Sequence, residues 1–252
     1  MSASKKVYLF ANWKMYLDYD ESNILANAIA GISSNFAKKI KMVVFPSALS
    51  FYPVAQVLGD EGIATGAQNV HFEDKGGFTG ENSAVMYKNA GAKFSLIGHS
   101  ERRHLFCETN HEVHQKMEAA LLVGLTPVLC VGETAKERKA DKAKDVVEIQ
   151  LRAALDGLKW KPKAKLFIAY EPVWAIGTGN NCDPIEAEKM CAMIEKMAHT
   201  LIKNVEVIVL YGGSVKGENI KEFMKQPNIS GVLVGGASAK LDTWLQIVQN
   251  AC

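Results

Sequence analysis

Eight short runs of apolar residues recur along the chain, and segments with helical spacing separate them. Because each run is continuously apolar, it predicts a strand buried on both faces, as in a parallel sheet covered by helices. The runs are residues 7–12, 41–46, 62–68, 94–100, 126–133, 165–172, 205–213 and 229–237. Eight such units in 252 residues favour an α/β protein with one closed (β/α)8 barrel domain that spans residues 1–252.

An open, doubly wound parallel sheet is the structural alternative, because the pattern does not reveal whether the sheet closes. Against it, no G-x-G-x-x-G motif follows the first run. Polar residues and glycines collect after the runs, which in a barrel places them on the rim where active sites are built. One helix is expected to begin with Asp183 as N-cap and Pro184 at its first position.

Composition excludes several classes of partner. The formal net charge is only +2, too small to indicate a nucleic-acid or membrane partner, and no apolar run approaches the roughly 18 residues of a membrane span. The five cysteines are scattered without a C-x-x-C pair, and the start MSASKK lacks an apolar leader. We expect reduced thiols in the cytoplasm and no zinc site. The basic segment 159–165 is expected at the opposite end of the barrel, as a solvated loop or, less simply, an anion patch.

A carboxylate and an apolar loop follow the sixth run. In FIAYEPVWAIGTG (167–179), Glu171 precedes Pro172, and Gly177 and Gly179 close the loop. An apolar loop between proline and glycines indicates a hinged lid that folds over the rim and excludes water. We expect this drier environment to raise the proton affinity of Glu171, so that it serves as a base. A salt-bridge carboxylate is the alternative interpretation.

His99 lies where the fourth run ends, and residues 100–103 predict the start of a helix. A helix N-terminus disfavours the imidazolium form, so a neutral His99 could donate a hydrogen bond to a carbonyl oxygen. A structural or solvent-facing histidine is the ordinary alternative. Glu101 is expected first to pair with a neighbouring lysine or arginine, and only second to shuttle a proton.

Lys14 and Asn12 follow the first run. On a rim that holds a base and an imidazole, Lys14 would supply fixed positive charge to an anion. Asn12 would hold Lys14 or the substrate. A solvated lysine and a turn asparagine are the alternatives.

Two glycine patches, YGGSV (211–215) and VGGAS (234–238), follow the last two runs. Barrels of this type bind phosphate with these two loops and the N-terminus of a short helix. The backbone N–H groups of Ser214, Gly235 and Gly236 would face the phosphate, and closure of the lid would add that of Gly177. The sequence lacks a P-loop, a nucleophile elbow and an H-E-x-x-H helix, so we expect neither a nucleoside triphosphate nor a metal.

Together these motifs resemble the triosephosphate isomerase family, in order and across almost the whole chain. The matching segments are NWKM (12–15), GAQN (66–69), GGFTGE (76–81), IGHSERR (97–103), CVGET (130–134), AYEPVWAIGTG (169–179), YGGSV (211–215) and GVLVGGAS (231–238). The resemblance implies a (β/α)8 homodimer that needs no cofactor. Its activity would be the interconversion of dihydroxyacetone phosphate and D-glyceraldehyde 3-phosphate in glycolysis and gluconeogenesis.

The resemblance also implies roles for individual residues. Glu171 matches the catalytic base and His99 the neutral electrophile, a pairing already established for this family. Asn12 and Lys14 match the substrate-binding pair, while Glu101 and Cys130 match positions with supporting roles. The phosphate clamp corresponds to Gly177, Ser214, Gly235 and Gly236. Thr79 lies on the loop by which one family subunit reaches the other's site.

The chain departs from the family pattern at a few positions, none of them catalytic. Ala11 and Tyr16 stand where glycine and asparagine are common. Gly77 and Ala239 replace a usual alanine and leucine, which removes packing atoms near the phosphate helix and the dimer loop. Two other functions remain open at this stage: another phosphosugar isomerase on the same barrel, and a non-catalytic protein that binds sugar phosphates.

Overall fold

The eight strands form a closed parallel barrel in the computed structural model, which describes residues 6–35, 38, 40–176 and 182–251. Each strand pairs with the next in the chain, and β8 pairs with β1. The strands are β1 Val7–Asn12, β2 Ile40–Phe45, β3 Ala64–Ala67, β4 Phe94–Ile97, β5 Thr126–Val131, β6 Lys165–Tyr170, β7 Glu206–Tyr211 and β8 Gly231–Val234. The predicted (β/α)8 barrel is confirmed, and the open-sheet alternative is wrong.

Helices cover the outside of the barrel between successive strands. Within the described residues they are α1 Tyr19–Gly31, α2 Phe51–Asp60, α3 Ala84–Asn89, α4 Ser100–Leu105, α5 Asn110–Val123, α6 Ala135–Lys139, α7 Ala143–Leu155, α8 Pro184–Leu201, α9 Ile220–Met224 and α10 Leu241–Asn250. Short 3₁₀ turns occupy Ser33–Asn35, Val173–Ala175 and Gly236–Ala239. The predicted start of α8 is confirmed, because the Asp183 side chain accepts from the N–H groups of Ile185 and Glu186, with Pro184 at the first position.

Side chains alternate along each strand between two hydrophobic layers. In β1, Leu9 and Ala11 belong to the layer between sheet and helices, whereas Tyr8 and Phe10 belong to the cluster inside the barrel. Phe10 and Phe167 meet there with ring centroids 5.0 Å apart. The barrel interior is therefore filled, and a ligand has to bind at one of its two mouths.

The strands are shorter than several of the predicted runs. The runs 62–68 and 94–100 correspond to β3 and β4, which have four residues each. The additional residues belong to the loops that follow the strands. They are as apolar or glycine-rich as the strands themselves, so pattern alone does not separate them.

Lys165 begins β6, so the basic segment 159–165 lies at the amino ends of the strands, as predicted. The cysteines that the structure describes are all free thiols. Among the described helices, none is both long and apolar enough to cross a membrane.

Candidate active site

A cavity of about 260 Å³ opens at the carboxyl ends of the strands. Seven of the sequence-predicted site residues line it: Asn12, Lys14, His99, Glu171, Ser214, Gly235 and Gly236. They come from the ends of β1, β4, β6, β7 and β8. The closed sheet thus brings together residues that are up to 224 positions apart in the numbering of the chain.

Glu171 is buried, and its carboxylate is fixed at both oxygens. Its residue exposure is 2%. Oε1 lies 3.0 Å from Nε2 of His99, and Oε2 accepts a hydrogen bond from the backbone N–H of Ser100 at 2.7 Å. Because both contacts come from the start of α4, the fourth strand–helix connection determines where the carboxylate points.

The pKa of Glu171 is lower than its ordinary value, contrary to the prediction from sequence. Burial raises this pKa, as expected, and is the largest single influence. His99 at hydrogen-bond distance, the N–H of Ser100 and the charge of Lys14 act together in the opposite direction and outweigh it. The sequence argument considered the dry surroundings and omitted the donors that stabilise the ionised form.

The hydrogen bonds of His99 fit a neutral ring that carries its proton on Nε2. Nδ1 accepts the backbone N–H of Glu101 at 3.2 Å, which requires an unprotonated Nδ1. Nε2–H is then free to donate to Glu171. Burial lowers the pKa of His99, but Glu171 and then Glu101 raise it above the ordinary value. The two carboxylates beside the ring therefore outweigh the influences that lower this pKa, although the hydrogen bonds fit the predicted neutral imidazole.

Lys14 is held in an uncommon backbone conformation, with a positive φ of 49°. Its N–H donates to Oδ1 of Asn12 at 3.1 Å, and its Nζ lies 2.6 Å from Oε1 of Glu101. The Gln68 side chain donates to the carbonyl of Lys14 at 2.8 Å and to that of Phe45 at 3.0 Å. Strained backbone of this kind persists where neighbours over-determine it. Gln68, which the sequence-based site omitted, is one of these neighbours, and its place in the GAQN motif was the available signal.

The two glycine patches face the cavity from β7 and β8. In the described part of the chain, no backbone carbonyl accepts from the N–H groups of Ser214, Gly235 or Gly236. Gly236 begins the 3₁₀ turn that follows β8. Unpaired N–H groups that converge on a cavity form a ready site for an anion.

Two glycines in these patches allow close approach of the Glu171 and Lys14 side chains. A Cβ built on Gly212 would lie 3.0 Å from Cγ of Glu171, and one on Gly235 would lie 2.9 Å from Cε of Lys14. Any larger residue would push against the carboxylate or the ammonium group. Glycine is therefore needed at these two positions because a side chain would collide with Glu171 or Lys14, and not because of a positive φ.

The first part of the lid is anchored to the end of β5 through Glu133. Glu133 is fully buried and accepts from Nε1 of Trp174 at 2.8 Å and from the Tyr170 hydroxyl at 3.1 Å. The Arg138 guanidinium bonds to Glu133 and lies 4.5 Å from the Trp174 ring centroid. On the other side, Ser214 Oγ donates to the carbonyl of Ala175 at 2.6 Å. The sequence interpretation did not assign Glu133 or Arg138, although CVGET was among the matching motifs.

Four predicted residues remain, and none of the three that the structure describes lines this cavity. Gly177 lies outside the described residues, as do residues 178–181, which include the end of the predicted lid. Cys130 is buried inside the barrel, where burial raises the pKa of its thiol well above the ordinary value. Thr79 is exposed on the loop after β3, and it does not line the cavity. Glu101 borders a smaller neighbouring cavity with Lys14 and His99.

The departures from the family pattern are structurally mild. A Cβ on Gly77 would meet nothing within 4 Å, so the missing methyl group leaves no local void. Ala239 is buried at the end of the 3₁₀ turn that borders the cavity.

Chemically, the cavity combines an ionised buried carboxylate, an imidazole N–H, an ammonium group and free backbone N–H groups. This set can remove a proton from carbon, stabilise negative charge on a nearby oxygen and hold a second anionic group.

Comparison with known proteins agrees with this chemistry. The family model described as "Triosephosphate isomerase" matches residues 7–251. The chain is also 41% identical over 254 aligned residues to a triosephosphate isomerase from Carboxydothermus hydrogenoformans, with 98% of this chain and 99% of that protein covered.

Proposed function

Since the chain belongs to the triosephosphate isomerase family, it is an isomerase that interconverts triose phosphates in glycolysis, and we propose that Glu171, His99 and Lys14 perform the proton transfer. Glu171 removes the proton from the carbon next to the carbonyl group. His99 and Lys14 stabilise the negative charge that develops on oxygen, and Glu171 returns the proton to the neighbouring carbon. The reaction needs no redox cofactor, because no electrons leave the substrate.

The observation that supports this proposal most is the double contact of the Glu171 carboxylate with His99 and Ser100. The one N–H of the His99 Nε2 points at Glu171, so a bound carbonyl oxygen has to replace the carboxylate as its acceptor. That exchange frees Glu171 from a donor that lowers its pKa. The base therefore becomes stronger when the substrate arrives, and the rise in proton affinity expected from burial takes effect at that stage.

Replacement of the carboxylate tests the role of Glu171. Glu171→Gln preserves size and polarity, and we expect kcat to fall by about 10²- to 10⁴-fold with a much smaller change in KM. Glu118→Gln, on the exposed face of α5, is the matched control and should behave as the parent. Near-normal kcat in Glu171→Gln would refute the assignment.

We also propose that the substrate phosphate binds the N–H groups of Ser214, Gly235 and Gly236, and that lid closure adds Gly177. The hydrogen bond from Ser214 to Ala175 supports this, because it joins the phosphate loop to the start of the lid. Phosphate binding would thus assist closure, and remote binding energy would serve the chemical step. D-Glyceraldehyde, which lacks the phosphate, should turn over poorly even at saturation. A kcat close to that of the phosphorylated substrate would contradict the coupling.

We propose further that the active form is a homodimer. Exposed apolar side chains lie on the loop after β3 and beside the site, with exposures of 42% for Phe78, 94% for Met15 and 67% for Phe106. Met15 and Phe106 line the small cavity next to Lys14 and Glu101. A second copy that contributes its Thr79 loop would cover this surface.

Molar mass and activity measured on the same chromatographic fractions test the dimer. Phe78→Asp should shift the mass towards the monomer and remove activity with it. Ile149→Asp, which changes an exposed apolar residue on α7, should leave both unchanged. A fully active monomer would contradict the proposal.

We also propose a reducing, cytoplasmic location, which the scattered free thiols of the described residues support. We propose further that residues 1–252 form a single domain and that the enzyme also serves gluconeogenesis.

A further inference from the structure

A second cavity lies at the mouth of the barrel opposite Glu171. Its volume is about 530 Å³, roughly twice that of the active-site cavity. The amino ends of β1 to β6 form it, together with the segment that leads from α2 into β3. Its size falls within the range of pockets that bind small organic molecules. Neither the family's reaction nor the proposed proton transfer uses it.

The floor of this cavity is aromatic. Tyr8 and Phe167 meet edge to face with ring centroids 5.0 Å apart, and Phe94 meets Phe167 at 5.7 Å. Met42 and Ala64 extend the apolar lining. Phe94 is only half-buried at this mouth, so part of an aromatic face is left for a ligand. A flat apolar molecule would gain by covering it.

The rim of the cavity is basic. Lys6, Lys41 and Lys165 line it, and Glu61 is the one acidic residue among its described lining residues. Glu61 already accepts from the Ser33 hydroxyl at 2.7 Å, and Lys165 pairs with Glu206 at 2.8 Å. Within the described chain, Lys6 and Lys41 have no ion pair. The rim therefore has positive charge available for a ligand.

We propose that this cavity is a second binding site, which takes a small organic anion with a flat apolar body. The body would lie on Tyr8, Phe94 and Phe167, and a carboxylate, sulfonate or phosphate head would meet Lys6 and Lys41. Charge complementarity and the aromatic floor together select this class. Inorganic phosphate and triose phosphates carry an anionic group but lack a flat apolar part, so they should bind weakly at this site. Lys165, the last residue of the basic segment 159–165, lines this cavity, so the segment contributes to the proposed site.

A fluorescent aromatic sulfonate, 8-anilino-1-naphthalenesulfonate, is a suitable probe, because its two halves match the floor and the rim. We expect one site per chain, and about tenfold weaker binding in Lys41→Glu, since the change both removes and reverses a rim charge. Lys161→Glu, which makes the same charge change in the basic segment but does not line the cavity, should bind within about twofold of the parent. Both variants should keep the parent's isomerase kcat, which verifies their folding.

Two further measurements distinguish the two cavities. Ala64→Leu places a larger side chain in the cavity and should abolish probe binding; if that variant does not fold, Lys41→Glu carries the test alone. Inorganic phosphate at a concentration that inhibits the isomerase should leave the probe bound. The proposal is overturned if phosphate displaces the probe, or if Lys41→Glu and Lys161→Glu bind it equally. Neither result depends on which residues catalyse the isomerisation.

Discussion

A single methyl group at Gly212 should disturb the carboxylate of Glu171, the proposed base, while leaving the barrel intact. Its Cβ would lie 3.0 Å from Cγ of Glu171 and 3.2 Å from the carbonyl oxygen of Tyr170. That carbonyl is fixed, because it accepts the N–H of Gly212 at 2.8 Å. The Glu171 side chain is the more mobile neighbour, and it has to move by a few tenths of an ångström to restore an ordinary contact.

The size of the effect follows from that displacement. A misplacement of about 1 Å in an active site costs on the order of 10²-fold in rate, so a shift of a few tenths of an ångström should lower kcat by roughly three- to tenfold. Both hydrogen bonds of the carboxylate would lose alignment. KM should change less, because the N–H groups of Gly235 and Gly236 are untouched. Gly212 has an ordinary φ, so the net change in the free energy of unfolding should stay below about 1 kcal/mol.

A coupled isomerase assay on Gly212→Ala gives kcat and KM, and thermal unfolding gives the stability. Gly59→Ala is the matched control, since its Cβ meets nothing within 4 Å. If KM rises and kcat is unchanged, then the glycine serves the phosphate loop and not the base. If the free energy of unfolding falls by several kcal/mol, then the Tyr170 carbonyl, and not the Glu171 side chain, moves to accommodate the new methyl group. Either result would refute the reasoning.

Three other predictions concern stability. Glu171 has a lowered pKa, so its ionised form stabilises the fold above the unfolded-state pKa, and this contribution is lost as pH falls from about 4.5 through the folded-state value. Glu171 also raises the pKa of His99, which adds a contribution that is lost as pH rises above about 6.5. In urea titrations, the stability gap between parent and Glu171→Gln should therefore decrease at both ends of this range. Trp174→Phe removes the N–H that Glu133 accepts, and chemical denaturation should show a loss of about 1–3 kcal/mol. Gly59→Ala, in the last turn of α2, should raise the free energy of unfolding by roughly 0.4–1 kcal/mol in the same experiment.

The barrel was predictable because its signals are local and repeated. Each continuously apolar run marks a strand with two buried faces, and Asp183 with Pro184 marks a helix start through hydrogen bonds to residues two and three positions away. Closure is different. It depends on the pairing of β1 with β8, whose residues lie more than 200 positions apart. The sequence favoured closure only indirectly, through the number of units, the absence of a G-x-G-x-x-G motif after the first run, and the resemblance to a known family.

The position of the site residues was predictable for the same reason, but their protonation was not. Placing Glu171 at a strand end requires only the rule that polar residues gather at the carboxyl ends of a parallel barrel. Its pKa depends on the Ser100 N–H 71 positions away and on His99 Nε2, 2.7 Å and 3.0 Å from its two oxygens. Burial and these donors act in opposite directions, so the sign of the shift is a difference between two large effects. A sequence pattern reports the burial, because apolar neighbours are visible in it. The geometry between a carboxylate and a donor that follows another strand depends on how the closed sheet positions the two strands. It can therefore be determined from the three-dimensional structure but not from the sequence pattern.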